Sequence, residues 1–273
     1  VQWVLTPDEF VHVWATETGL DYRPYPVNAL LPAPSDAGPE VRGHLRRNAD
    51  SDLSAALLLC ARADATTLTV SGERSAGDAE RILAFAAVAQ QHAAILVARP
   101  ESMVVLICHA QAVGERLVGV IGSAPAGRHG AMREPTDDVL DWPAASGPEA
   151  AAERHHAGPA GGLDRHSPAA SGPEAAAERH HAGPAGGLHR HSPDPSTGAA
   201  RFQRALRAPV DCRGIVTVTI APHNPAPSPT RHRSWLDVAG DGRYLLTTAD
   251  QLTLTPVDDE AFADHLLRLA GLL

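Results

Sequence analysis

The chain of 273 residues contains no lysine, and all of its 23 basic residues are arginine. Chemistry that needs a primary amine is therefore excluded: no Schiff base with a carbonyl substrate, no pyridoxal phosphate attachment and no phosphate-binding lysine of a P-loop. Cysteine is scarce too. Cys60, Cys108 and Cys212 are widely spaced, odd in number and set in the apolar segments LLLCA, VLICHA and VDCRG. No CxxC spacing occurs, so they read as small buried hydrophobes in a reducing compartment and not as a disulfide framework or a zinc ribbon. No stretch approaches the ~18 apolar residues of a membrane span, and no apolar run precedes Asp8, so neither membrane insertion nor a signal peptide is expected. The protein is expected in the cytoplasm. Clustered cations are missing as well, and a net charge of -9 argues against nucleic-acid binding, whose affinity rests on cations facing phosphates.

Catalytic signatures are equally absent. No G-x-S-x-G, S-x-x-K, H-E-x-x-H or G-x-x-x-x-G-K pattern occurs. Asp237 and Asp241 flank a turn and are explained by turn chemistry, whereas Asp258, Asp259 and Glu260 open a helix and are explained by capping and the helix dipole. Cys108 and His109 are neighbours on a strand and point to opposite faces, so they do not form a nucleophile pair. No catalytic, cofactor-binding or metal-binding residue is assigned, and no cofactor is expected.

What is present is a foldable chain, 44% hydrophobic, with enough apolar content for a sizeable core. Thr6, Pro7 and Glu9 spell a capping box with proline at the first helical position, and Gly19 ends the helix. Phe10, Val13, Trp14 and Thr18 recur at helical spacing on its inward face. A second helix is read over Leu53 to Ala61, capped by Asp50 or Ser51. Strands are read at Thr66 to Ser71, Ile82 to Val88, Ala93 to Ala98 and Met103 to His109, the first two joined by the polar connection GERSAGDAE, and then a short helix from Glu115 to Ile121. After residue 198 come a helix at Ala199 to Arg207, strands at Gly214 to Ile220, Ser234 to Val238, Arg243 to Thr248 and Gln251 to Thr255, and a closing helix from Asp258 to Leu272. Asp241-Gly242 reads as a two-residue hairpin turn. Helix followed by strand meander occurs twice, which predicts an α+β fold with a central antiparallel sheet and pseudo-duplicated halves.

Between the halves lies a duplication. Residues 143–167 and 168–192 are two copies of one 25-residue sequence that differ only at Asp164 and His189. From Trp142 to Phe202 the only large aliphatic residues are Leu163 and Leu188, too few to offset ordering entropy, so residues 143–198 are expected as a disordered insertion between halves at 1–142 and 199–273. Seven of the 15 histidines fall there, but none has the spacing of a structured metal site.

The opening WVLTPDEFVHVWATETGLDYRPYP, the phrase RGIVTVTIAP and the closing SWLDVAGDGRYLLTTADQLTLTPVDD resemble the EspG family of type VII (ESX) secretion-associated proteins. The resemblance covers most of residues 1–140 and 199–273, and its most specific marks are GLD followed by PYP and the Trp-Asp before DGRY. It implies a cytosolic, non-enzymatic chaperone with a quasi-twofold α+β fold. Such a chaperone holds helical-hairpin secretion substrates, PE/PPE-like heterodimers or WXG100-like proteins, soluble for export. It also implies partner contacts from a projecting loop, here Ser71 to Asp78, and from the C-terminal helical region, here Asp258 to Leu272. The alternatives are a His-rich metal-handling module and an uncharacterised enzyme.

Overall fold

A computed structural model describes residues 1–32, 50–75, 79–135, 198–221, 230–249 and 251–273. The tandem repeats, and all but the last residue of the insertion expected at 143–198, lie outside them. The described residues build one ten-stranded antiparallel sheet. Its strands in chain order are β1 (Gln2–Leu5), β2 (Thr66–Arg74), β3 (Glu80–Ala89), β4 (His92–Arg99), β5 (Ser102–His109), β6 (Met132–Pro135), β7 (Val210–Thr219), β8 (Thr230–Val238), β9 (Gly242–Thr248) and β10 (Gln251–Pro256). The helices are α1 (Pro7–Thr18), α2 (Ser51–Cys60), α3 (Val113–Ile121), α4 (Gly198–Arg207) and α5 (Asp259–Leu269).

The spatial order β1-β5-β4-β3-β2-β7-β8-β9-β10-β6 makes the duplication explicit. Each half has an outer strand, a helical segment (α1 and α2 in the first half, α4 in the second), a four-strand meander and a closing helix. The halves meet where β2 pairs with β7 from Thr67–Thr219 to Arg74–Cys212. The two outer strands were not legible in the sequence, because four residues are too few for a periodic signal. Met132–Pro135 precedes residue 142, yet it pairs with β10 on the edge of the second half.

Local sequence chemistry explains the elements. Thr6 Oγ1 accepts from the Glu9 amide at 3.2 Å, and the Glu9 carboxylate accepts from the Thr6 amide at 2.8 Å, closing the capping box. Gly19 ends α1 with φ of 68°, where a side chain would be strained. Asp50 caps α2 through the Asp52 amide at 3.0 Å and also accepts from the Trp3 indole at 2.7 Å. Those hydrogen bonds, the one from Trp3 foremost, hold its carboxyl below the usual carboxylate range. The β8–β9 hairpin differs from expectation. Val238 pairs with Gly242, so the turn is Ala239-Gly240-Asp241, and positive φ falls at Gly240 and Gly242 and not at Asp241.

Helices cover both faces of the sheet, but unevenly. On one face α3 and α5 pack together over the centre, burying Val113, Leu117, Phe262 and Leu266 against Leu68, Val70, Val216 and Trp235. Their backbones approach closely, since a Cβ on Gly114 would lie 2.5 Å from the Ala263 carbonyl oxygen. On the opposite face α1 and α2 cover the first half through Phe10, Trp14 and Leu57, and α4 covers the second half through Phe202. β3 and β4 are therefore buried on both faces and read as continuous apolar runs, whereas β7 alternates. Leu68, Val70, Val216 and Val218 face the α3–α5 core, while Thr67, Thr69, Ser71, Ile215 and Thr217 stay partly exposed on the other side.

Candidate partner-binding surface

Because α1 and α2 cover one half of a face and α4 the other, the central strands between them lie open. The result is a cleft of about 730 Å³ on the quasi-twofold line. Its floor is Ser71 and Glu73 of β2, Arg213 and Ile215 of β7, and Ser234 and Leu236 of β8. Tyr25, Pro26 and Leu83 form the wall from the first half, and Leu206, Val210 and Leu246 the wall from the second. Large apolar side chains are open to solvent here: Tyr25 is 63% exposed and Ile215 38%. Arg213 Nε donates to Glu73 Oε1 at 2.6 Å across the β2–β7 pair.

The two regions expected to bind a partner have different fates. The polar connection after Ser71 is shorter than expected, because β2 continues to Arg74 and pairs with β3 as far as Arg74–Glu80. Ser71 to Arg74 thus lie in a strand whose end forms the rim of the cleft, and residues 76–78 lie outside the described residues. The closing helix spends its apolar residues inward: Phe262, Leu266, Leu267 and Leu269 are all buried in the core. Its exposed side is polar, with Glu260 and Arg268, and Leu273 beyond its end is 63% exposed. Tyr25, Arg81, Leu206 and Ile215 escaped the sequence reading. One signal was available, since Ile215 stands among Arg213, Thr217 and Thr219 at alternate positions of β7.

The hairpin end and α5 are joined by residues 121–125. Arg74 Nη2 donates to the Ile121 carbonyl at 2.7 Å, the Asp259 carboxylate accepts from the Ala124 amide at 3.1 Å, and the Ser123 hydroxyl contacts the same carboxylate. Behind this link lies Arg243, fully buried. It donates through Nε and Nη2 to both oxygens of Asp237 at 2.7 and 2.8 Å, through Nη1 to Asp259 at 2.9 Å, and through Nη2 to the Gly122 carbonyl at 2.7 Å. Its guanidinium carbon also sits 5.3 Å from the centre of the Phe262 ring. Asp237 and Asp259 are therefore ion-pair partners of a buried cation, more than the turn and cap residues they seemed. Asp258 is the cap, accepting from the Ala261 amide at 2.8 Å. Asp241 accepts from the Tyr244 hydroxyl at 2.7 Å, while burial, with that bond second, raises the phenol to about 12. Among the described residues no cluster of three His, Cys, Asp or Glu is arranged to hold a metal ion, and no helix is long and apolar enough to cross a membrane.

α5 is also docked through a proton-sensitive contact. Arg233 donates from Nε to His265 Nε2 at 3.1 Å and from Nη1 to Thr247 Oγ1 at 2.8 Å. The imidazole must be neutral to accept. Burial, then the charges of Arg233 and Arg268, lower its pKa in the folded protein. A histidine depressed below its unfolded value of about 6.5 contributes stability above that pH, and the contribution is lost as pH falls through the lower folded value. Thermal midpoints measured from neutral to mildly acid pH should fall, and His265→Gln, which keeps an acceptor but cannot be protonated, should flatten that fall. An unchanged pH profile in the variant would show that His265 does not carry it.

Comparisons with known proteins follow the same architecture. No curated protein matches the chain significantly. Among solved structures, the type VII secretion system chaperone EspG5 of Mycobacterium tuberculosis, determined in complex with a PE25-PPE41 dimer, is similar with a TM-score of 0.57 and 11% identity. The likeness spans 100% of this chain and 97% of that one, and it shows a common fold. The family model described as the EspG family matches residues 6–268, and so, with nearly its whole length matched, this chain belongs to the EspG family.

Proposed function

We propose that the chain is a cytoplasmic chaperone of a type VII (ESX) secretion system. It binds secreted helical-hairpin pairs of the PE/PPE kind and keeps them soluble for export. The observation that carries this reading is the family match over residues 6–268. The open cleft supports it, because a sheet otherwise covered by helices leaves Tyr25 and Ile215 exposed on one line. The tip of a helical hairpin laid on the cleft removes its own apolar side chains and these two from water together. Affinity then comes from a few desolvated anchors and not from total area. The β2–β3 hairpin end, within Ser71 to Asp78, borders the occupant. The polar outer side of α5, within Asp258 to Leu272, lies on the reverse face of the sheet and takes no part in this cleft. The protein acts by binding and release, without turnover.

The test is co-expression with the PE/PPE-type pairs encoded in the same genome. The expected result is a soluble complex that survives size exclusion, and its loss on Ile215→Glu with the thermal midpoint of the chaperone unchanged. If every such pair elutes apart from the wild-type chain, the reading fails.

A further inference from the structure

We infer that the cleft selects a helical tip bearing a carboxylate beside its apolar side chains, and that Arg81 is the residue that reads it. This rests on the chaperone reading and specifies its partner. Three charged side chains lie in register across the strands of the cleft: Arg81 on β3 is opposite Glu73 on β2, and Glu73 is opposite Arg213 on β7. Glu73 is occupied, since Arg213 contacts it through both Nε and Nη2. Arg81 is exposed, and among the described residues no hydrogen bond or ion pair holds its guanidinium. The cleft is thus left with one cation in excess, on a molecule whose net charge is -9. A local positive site favours an anionic group at that point and repels a cationic one. Leu83 lines the cleft on the same strand, two residues from Arg81, so the apolar and the cationic contact are offered side by side. A guanidinium meets a carboxylate through a planar fork, which fixes the approach of the tip as well as its charge. The pair is exposed in the free protein, so its role is selection and orientation more than raw affinity.

The experiment titrates the wild-type chain, Arg81→Glu and Arg81→Ala with a purified PE/PPE-type pair from the same genome that co-purifies with the wild type. Each is measured at low and high ionic strength, with circular dichroism to verify folding. Arg81→Glu should weaken binding about tenfold or more at low salt, because it places like charges together. Arg81→Ala should weaken it less, and salt should shrink both differences. Changing the acidic residues at the tip of the pair to lysine should weaken binding to the wild type and restore it to Arg81→Glu. Equal binding by Arg81→Glu and the wild type overturns the inference, as does a tip without acidic residues. So does light scattering that shows a wild-type dimer dissociated by Arg81→Glu, since the cleft would then join two copies of this chain. A wild-type chain that binds no pair at all defeats the chaperone reading itself, which is a separate result.

Discussion

Arg243→Met is expected to destabilise the protein by about 3–5 kcal/mol, the usual cost of removing one partner from a buried ion pair. The loss is large because the side chain is fully buried and two of its four hydrogen bonds go to the buried carboxylate of Asp237. Asp237, only 11% exposed in its side chain, keeps its charge and loses the guanidinium that compensates it. Asp259 and the Gly122 carbonyl lose their partner too, so β9, the segment after α3 and the start of α5 come apart at one point. Urea unfolding should show a lower midpoint. Arg243→Lys should fall between, since an ammonium keeps the charge but cannot form the two-pronged contact. The double variant Arg243→Met with Asp237→Leu should recover part of the loss, because no buried charge is then left unpaired. A loss below about 1 kcal/mol for Arg243→Met would mean that the network contributes no more than an exposed pair.

Gly214→Ala should be costly for a steric reason. Gly72 of β2 and Gly214 of β7 face each other at the centre of the sheet, and Trp235, opposite Gly214 on β8, lays its indole across both. A Cβ on Gly214 would lie 2.2 Å from Trp235 Cη2 and 2.5 Å from the Ser71 carbonyl oxygen. The indole is packed against Phe262 at 6.2 Å between ring centres and has no room to retreat. The expected loss is about 3 kcal/mol, the upper part of the range for overpacking, because one of the two contacts is with backbone. Trp235→Ala alone should cost about 3–5 kcal/mol through the cavity it leaves. In the double variant the two losses should fall short of their sum by about 1 kcal/mol or more, since the indole that clashes is gone. Recovery stays partial because the Ser71 oxygen remains. Strict additivity, or a Gly214→Ala protein as stable as the wild type, would show that β2 and β7 separate at little cost. Since Ser71 lines the cleft on the reverse face of the same strand pair, Gly214→Ala should also weaken partner binding more than its stability loss accounts for.

Much of this fold was legible because its elements are specified locally. The Thr6–Glu9 box, the Gly19 stop and the Asp50 and Asp258 caps involve residues within a few positions of one another. The period-two pattern of TVTVT-like segments marks strands however they are later paired. The α3–α5 crossing, the two outer strands and the Ala239-Gly240-Asp241 turn were not legible. A four-residue strand gains its hydrogen bonds only from the partner it reaches, and a Gly114–Ala263 contact joins residues whose distance in sequence carries no periodic signal.

The sequence by itself determined that this chain forms two similar α+β halves, that it lacks the amine chemistry of lysine, and that its family marks stand at both ends. Tertiary structure alone decided which apolar residues remain available to a partner. Phe262 and Leu266 lie in the closing helix that the resemblance marked for partner contact, yet they are consumed where α5 packs with α3 over the sheet. Ile215 looked like an ordinary strand residue, yet it stands open because α2 and α4 cover only their own halves of the opposite face. Exposure depends on what the rest of the chain places above a residue, and Arg81, Glu73 and Arg213 become one charge pattern only when β3, β2 and β7 lie side by side.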